Sequence, residues 1–451
     1  MIMAATPART PAEQALAARY PAERTSLPGT ADVIAIRDAA FGGIEKTGLP
    51  HRRVEDWKYT DLRARLKTFP PAAGPADVAR VLIARPAMEG DKARRLVVAN
   101  GRYRPELSDL ENLEDGLAVF SLAKALEAGD AAVLAALKLD EATAANTAVA
   151  LNTAFMTDGL VITVADGAVV ERPVEIVHIA EGEPAASTAV RHLVTVGRGA
   201  KLTLIETVES LDTVAHHSNI MTVIEAGEEA DVDHIRLQLE PDEAVSMTTL
   251  VARIGRQATF DTFNAALGAG LARAQVFAEF VGRDAEAGFR GITMLSGRRH
   301  ADTTLSLIHG AENCRSRELY KAVIDDEARS AFAGRIAVPA FAQKTDARMM
   351  TASLLLSEEA EAYAKPELEI FADDVQCGHG ATCGAINEDL LFYLLSRGIA
   401  KAEAESMLIL AFLGEAIDEI QDQAVHDALI HRVEAWLKTR ASARKAGEPA
   451  A

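Results

Sequence analysis

Cysteine is scarce, with three in 451 residues, and so odd and sparse a set excludes the disulfide frameworks that staple small secreted domains and favours a reducing compartment. Long apolar runs are missing too. Stretches such as Met407–Leu413 fall well short of the roughly 20 residues a bilayer span requires. The opening segment MIMAATPARTPAEQALAARYPAE lacks the apolar centre of a signal peptide and carries the acidic residues that transit peptides avoid. Positive charge is in deficit: 47 Lys and Arg stand against 66 Asp and Glu, a net charge of −19. With no long basic run, this balance repels phosphate backbones and anionic lipid. The expectation is a cytoplasmic protein with neither nucleic acid nor membrane as partner. What is present is ordinary for a soluble globular chain, 49% hydrophobic and 25% charged, and the length suggests two to four domains.

Residues 1–157 read mainly as helix, because PAEQALAARY, GTADVIAIRDAAF and SLAKALEAGDAAVLAAL carry apolar residues at helical spacing between Pro and Gly breaks. LVVANGRYRPELS is the exception. There Asn100-Gly101 ends an apolar run, and both residues tolerate the positive φ of a tight hairpin. From about Gly159 the texture changes to short runs rich in Val, Ile, Thr and Phe. The turns between them repeatedly end in alanine, at Ala168, Ala200, Ala230, Ala258, Ala285, Ala328 and Ala360, with intervals of 32, 30, 28, 27, 43 and 32. A period of about 30 without intervening helices predicts a stacked β-solenoid over 158–383. About seven coils at ~4.8 Å each would make a rod near 30 Å long. The interval of 43 suggests a longer excursion within GRRHADTTLSLIHGAENCRSRELY. Residues 384–451 return to helix. Asn387 is placed to cap EDLLFYLLSR and Gly398 to end it. A second helix carries Leu410, Leu413, Ile417 and Ile420 on one face, a third carries Leu429, Val433 and Trp436, and the tail from Ala441 is expected to fray.

Reactive side chains concentrate in Asp373-Asp374-Val375-Gln376-Cys377-Gly378-His379-Gly380-Ala381-Thr382-Cys383. In an extended strand Cys377 and His379 point the same way and suit one iron, zinc or copper ion. The glycines could turn the chain to bring in Cys383. Two donors are too few for a closed structural site, so others must come from elsewhere, including another chain. The alternative is packing: Cys377 as a small buried hydrophobe and His379 as a hydrogen-bonded turn residue. Asp373 and Asp374 read mainly as solvated acids. Cys314 has His309, Arg315 and Arg317 nearby, a setting that could lower its thiol pKa. Of His216 and His217, strand alternation places one in solvent. Nucleotide signatures fail. Gly42–Thr47 lacks the glycine before its lysine, Gly268–Arg273 lacks the third glycine, and neither a Gly-x-Ser-x-Gly elbow nor a His-Glu-x-x-His helix occurs.

The stretch KPELEIFADDVQCGHGATCGAINEDLLFYLLSRGI, with HRRVEDWKYTDLR and LNTAFMTDGLVITVADGAVVERPVEIVHI, resembles the SufB/SufD family of iron–sulfur cluster assembly proteins, and its few cysteines and HRRVEDWKYTDLR segment resemble the SufD branch. The resemblance implies a mainly β fold, a right-handed parallel β-helix between N-terminal and C-terminal helical domains. It implies a non-catalytic scaffold subunit. The partners would be SufB, through the β-helix near its C-terminal end, and the ATPase SufC, through the C-terminal helices, with a homodimer as the alternative in isolation. By motif position His379, and after it Cys377, would contribute to an interfacial site where iron or a nascent cluster is held transiently. A reduced flavin on the complex is a further family association. Gly378 stands where the family usually has serine, and Cys383 where a small aliphatic residue is expected, which favours an inert substitution over an extra ligand.

Overall fold

The computed structural model of the chain describes residues 9–82 and 92–447, with side chains to residue 440. Its centre is a parallel β-solenoid, flanked by N-terminal and C-terminal helices. Sixteen strands, β4 (Leu160–Val164) to β19 (Gln376–Gly384), alternate between two sheets, so that two strands complete one coil. There are therefore eight coils, one more than the sequence period suggested, and a stack of about 38 Å at ~4.8 Å per strand.

The alanine period has a conformational cause. At one corner of successive coils the chain reverses through a left-handed residue, Gly167, Gly199, Glu229, Gln257, Asp284, Asn313 and Lys344 in turn. The residue after each begins the next strand's hydrogen-bonded register: Ala200 accepts from Asp231, Ala230 from Thr259, Ala258 from Glu286, Ala285 from Arg315 and Cys314 from Asp346. These residues are buried, and stacking corners one strand spacing apart leaves room only for small side chains. Cys314 and Thr345 continue the alanine column. Ala328 and Ala360 belong to the opposite corner, beside Ala244. The interval of 43 is thus a change of corner, and the expected excursion is instead the regular strand β14 (His300–Ile308) leading into β15 (Arg315–Ile324).

Alternate residues of each strand fill the lumen, with Leu204, Val232, Phe260, Phe280 and Phe289 among the buried aliphatic and aromatic side chains. The other residues face outward beneath helices. On the ten-stranded sheet, α10 (Lys401–Ile417) and α11 (Gln423–Gly447) bury Ile409, Leu413, Val425, Leu429 and Val433 against Ile205, Ile235, Phe263 and Ile292. Leu410, Ile420 and Trp436 are only half-buried there. The helix continues through Ala441 to Gly447, where fraying was expected; 448–451 lie outside the described residues. On the nine-stranded sheet, α2 (Ala31–Thr47), α5 (Leu122–Ala128) and α8 (Thr147–Phe155) supply the cover.

The N-terminal region is woven into the solenoid. The expected hairpin forms: Asn100 and Gly101 take φ of 47° and 74° between β1 (Arg94–Ala99) and β2 (Arg102–Tyr103). β1 then pairs in parallel with β5 (Val174–Ala180), and β3 (Leu117–Ser121) pairs antiparallel with β4. Asp158 ties these pieces together. Its carboxylate accepts from Tyr103 N, Ser121 Oγ and Ala123 N, each at 2.9 Å. At Gly159 (φ 155°) a Cβ would fall 1.8 Å from the Arg191 carbonyl oxygen, so no larger residue fits.

The HRRVEDWKYTDLR segment is a clasp across the later coils. Trp57 is buried beneath the Arg273 guanidinium, 3.8 Å from its ring centroid. Thr60 Oγ1 lies 2.8 Å from His300 Nε2 and also bonds Asp302. Tyr59 stacks on Tyr363 at 5.2 Å, and Glu55 pairs with Lys365. The last two contacts brace β18 (Glu361–Ile370), the final strand of the nine-stranded sheet.

Candidate functional site

The far end of the solenoid is open. β18 and β19 terminate the two sheets, and among the described residues no strand pairs with their outer edges. β19 pairs with β17 (Asp346–Leu355) over nine positions, including Cys377 with Ala347 and His379 with Met349. Ala347 and Met349 are buried lumen residues, so Cys377 and His379 share the lumen-facing side, as strand alternation predicts. Cys377 is half-buried and packs against the core, and burial raises its thiol pKa above the ordinary value. His379 is exposed at the rim.

The glycines of β19 do not turn the chain. Gly378 and Gly380 keep their places in the ladder opposite Arg348 and Met350, which leaves Cys383 four residues and about 13 Å along the strand from His379. It cannot reach an ion held there, so the idea that the glycines bring it in is corrected. Asp374 is paired with Lys344 at the corner, and Asp373 is exposed.

The remaining sequence candidates resolve differently. Cys314 is buried in the alanine column, where desolvation raises its thiol pKa. The neighbouring cations are engaged elsewhere, Arg315 with Glu286 at 2.9 Å and Arg317 with Asp346 at 2.7 Å, so the expected activation is absent. His216 and His217 are both buried, contrary to the alternation argument. His216 precedes the strand and its Nδ1 accepts from Ala186 N at 3.1 Å, while burial pushes His217 down to about 4.

A cluster not anticipated from sequence lies in the lumen near the closed end. His178, His192 and Glu206 place one donor atom each within 4.8 Å of one another. Their individual separations, 3.3 Å between the two Nε2 atoms and 3.5 Å from His178 to the carboxylate, match the edge of a tetrahedral site with bonds near ~2.0–2.1 Å. By spacing the triad could hold a metal ion. Its hydrogen bonds place the protons otherwise. His192 Nδ1 accepts the Leu160 N–H at 3.0 Å, which puts the ring proton on Nε2, directed at His178. The other Glu206 oxygen is held by His234 and Arg236 at 2.8 Å each and by Thr222 at 2.7 Å. Against its desolvation, Arg236 and the hydrogen bond from His234 hold Glu206 well below the usual carboxylate range. Burial, reinforced by His178, pushes His192 down to about 3. Periodicity offered no signal for this cluster, because its members come from three strands 14 residues apart.

Beside the open edge stands an apolar helix. Asn387 caps α9 (Glu388–Ser396) by accepting from Leu390 N at 3.0 Å, three residues after β19 ends. None of the helix is buried, and Phe392 is 72% exposed, with Leu390, Tyr393 and Leu395 also in solvent. Phe371, just past β18, is 69% exposed. Among the described residues no helix is long and apolar enough to cross a membrane.

The fold and this end together define a β-solenoid protein with a thiol and an imidazole on an unpaired rim. Comparison with known proteins gives the class a family. Residues 178–412 match the family model for the SUF system FeS cluster assembly SufBD core domain, and residues 12–176 match that for the SufBD protein N-terminal region. The chain belongs to the SufBD family of iron–sulfur cluster assembly proteins. It is 32% identical over 415 residues to an iron–sulfur cluster assembly SufBD family protein of Synechocystis, covering 88% of this chain and 90% of the relative. It is 30% identical over 392 residues to the iron–sulfur cluster assembly protein SufD of Escherichia coli (86% and 89% covered), and 25% over 401 residues to SufD of Bacillus subtilis (86% and 89%).

Proposed function

We infer that this chain is the non-catalytic scaffold subunit of a cytoplasmic SufB–SufC–SufD type complex. The open edge of β18 and β19 pairs with SufB, α9 with its neighbouring helices docks the ATPase SufC, and His379 holds iron or a nascent cluster at the interface. Iron and sulfide are the cargo. The observation that carries this reading is the coincidence, at one end of the solenoid, of unpaired strand edges with an exposed imidazole on the rim. An unpaired edge recruits a strand from a partner through main-chain hydrogen bonds, and the partner then completes a ligand set that one strand cannot supply. The short link from Gly384 to Asn387 couples the two surfaces: movement of α9 by an ATP-driven partner acts directly on β19.

Cys377 carries a second reading, packing, which its contact with the core favours. Without SufB the same edge accepts a second copy of this chain.

The test is anaerobic iron and sulfide loading of the co-purified complex, wild type against His379→Ala, with subunit stoichiometry and gel-filtration mass recorded in parallel. The expected result is an intact complex with cluster yield reduced at least tenfold. Normal yield in the intact complex removes His379 from the chemistry, and normal yield in a Cys377, His379 and Cys383 triple variant makes the chain a purely structural subunit.

A further inference from the structure

One lumen carboxylate near the open end has no close partner. Glu318 on β15 is 2% exposed, and neither of its oxygens has a close hydrogen-bond partner, the Ser316 hydroxyl on the same strand adding only a weak, longer interaction. This is unusual, because buried polar groups are nearly always satisfied. The Ser316 hydroxyl, two residues along on the same face, lies 3.0 Å from His309 Nε2. By contrast Glu206, the lumen carboxylate near the closed end, is held by His234, Arg236 and Thr222.

The strand registers place Glu318 directly beneath the rim. It pairs with Met349 on β17 above and with Phe289 on β13 (Glu286–Leu295) below, and Met349 pairs in turn with His379. Ser316, Ala347 and Cys377 form the adjacent column. Glu318 therefore lies two strands, about 10 Å, inside His379. Between them the Met349 thioether reaches across the lumen to the facing sheet, where a Cβ on Gly334 would come within 2.6 Å of its sulfur. Met349 is the plug between the rim and the buried acid.

An ionised carboxylate alone in an apolar lumen is costly, so the group keeps its proton. Burial pushes Glu318 up to about 8, with Ser316, Arg317 and Arg290 only partly opposing it. A packing role would be met by an uncharged side chain of equal size. An unpaired acid, a thioether above it, and a thiol and imidazole at the mouth form instead a graded set of metal donors leading inward.

We propose that Glu318 is the anionic ligand of an inner divalent-cation position, which ferrous iron reaches through the open last coil past His379 and Cys377, and that the Met349 thioether lies over the bound ion. This rests on the reading of the rim as the entry point for iron. The step is an exchange without redox change: the carboxylic acid O–H bond breaks, a carboxylate–metal bond forms, and one proton leaves to solvent per ion bound.

The test uses the isolated full-length chain under anaerobic conditions, with Co2+ as a spectroscopic probe and Fe2+ in equilibrium dialysis. Wild type is compared with Glu318→Gln, which keeps the shape, Glu318→Asp, which keeps the charge, and Met349→Leu. Thermal melting establishes that each is folded. Expected are a Co2+ affinity at least tenfold weaker in Glu318→Gln together with loss of the released proton at pH 7, partial recovery in Glu318→Asp, and an altered Co2+ absorption band in Met349→Leu. Equal affinity and equal proton release in Glu318→Gln overturn the proposal. The outcome separates from that for His379, because equilibrium binding to the isolated chain needs neither SufB nor SufC. Loss of cluster in the His379→Ala complex with unchanged Co2+ binding in Glu318→Gln sinks the inner position alone, and the converse sinks the rim alone.

Discussion

The two ends of this solenoid solve the same problem in opposite ways. Stacked coils must stop somewhere, and each terminal coil leaves a row of backbone donors and acceptors without partners. At the first coil the chain covers them itself, with β3 antiparallel on β4, the β1–β2 hairpin extending the other sheet, and Asp158 bonding three donors from different elements. At the last coil nothing in the described chain is added beyond β18 and β19, and the apolar helix that follows stands in solvent. The lumen repeats the contrast in part: one oxygen of Glu206 is held by three donors, whereas neither oxygen of Glu318 has a close one. Self-sufficiency at one end and incompleteness at the other are what a subunit of a larger assembly requires.

The largest test of that contrast is at the closed end. Asp158→Ala leaves three donors unpaired, two of them buried, and at ~1–3 kcal/mol for each buried one the loss should be about 3–6 kcal/mol. Urea denaturation is expected to show a lowered midpoint, with exchange protection lost first in β2 and β3. A change below ~1 kcal/mol would mean that the hub does not hold this end together. Trp57→Ala comes next, at about 3–4 kcal/mol for a large buried aromatic. Because the clasp braces β18 through Tyr59 and Glu55, amide exchange should rise in β18 while β4 keeps its protection. Equal loosening at both ends would show that the clasp is general core and not a brace for the open half.

These two regions also mark how far the sequence could be read. The coil period was legible because each corner needs a left-handed residue followed by a small one, and alanine meets the second need in five successive coils from Ala168 to Ala285. The eighth coil was hidden where Cys314 and Thr345 replace alanine and the opposite corner's Ala328 imitates the pattern. At the site, period two correctly put Cys377 and His379 on one side. The turn that would have brought in Cys383 does not form: glycine signals a turn locally, whereas nine ladder positions with β17 hold Gly378 and Gly380 straight. Glu318 gave no signal, since its isolation depends on which strands lie above and below it.

A smaller effect lies on the outer face near the closed end, where burial pushes Glu209 up to about 7 despite Arg432 of α11 and Arg95. A carboxyl whose folded pKa is raised stabilises the fold fully below its unfolded value of ~4.3 and loses that contribution as pH rises through about 7. Wild type should therefore weaken between pH 4.5 and 7 relative to Glu209→Gln, by about 1–2 kcal/mol once partial solvent screening is allowed for. Parallel denaturation curves at pH 5 and pH 8 measure the difference, and an unchanged gap between the two proteins would place Glu209 outside the docking of α11.

The smallest effect on the isolated chain is expected at the open edge, and it is the most telling for the contrast. Gln376 N donates to Thr345 O, so in the alternating parallel pattern residues 376, 378, 380 and 382 bond inward to β17, while 377, 379, 381 and 383 present their backbone groups to the outside. Ala381→Pro removes one outward N–H and no bond of the internal ladder, a substitution that edge strands tolerate. Its stability should stay within ~1 kcal/mol of wild type. Pairing with SufB, or with a second copy of the chain, should weaken at least tenfold by analytical ultracentrifugation, because strand addition at this edge needs that donor. The same proline at Thr382, whose N–H points inward, reverses the pattern by lowering stability first. If Ala381→Pro assembled normally, the edge of β19 would not be where the partner adds its strand, and the incompleteness of this end would have to be met by side-chain contacts of α9 instead.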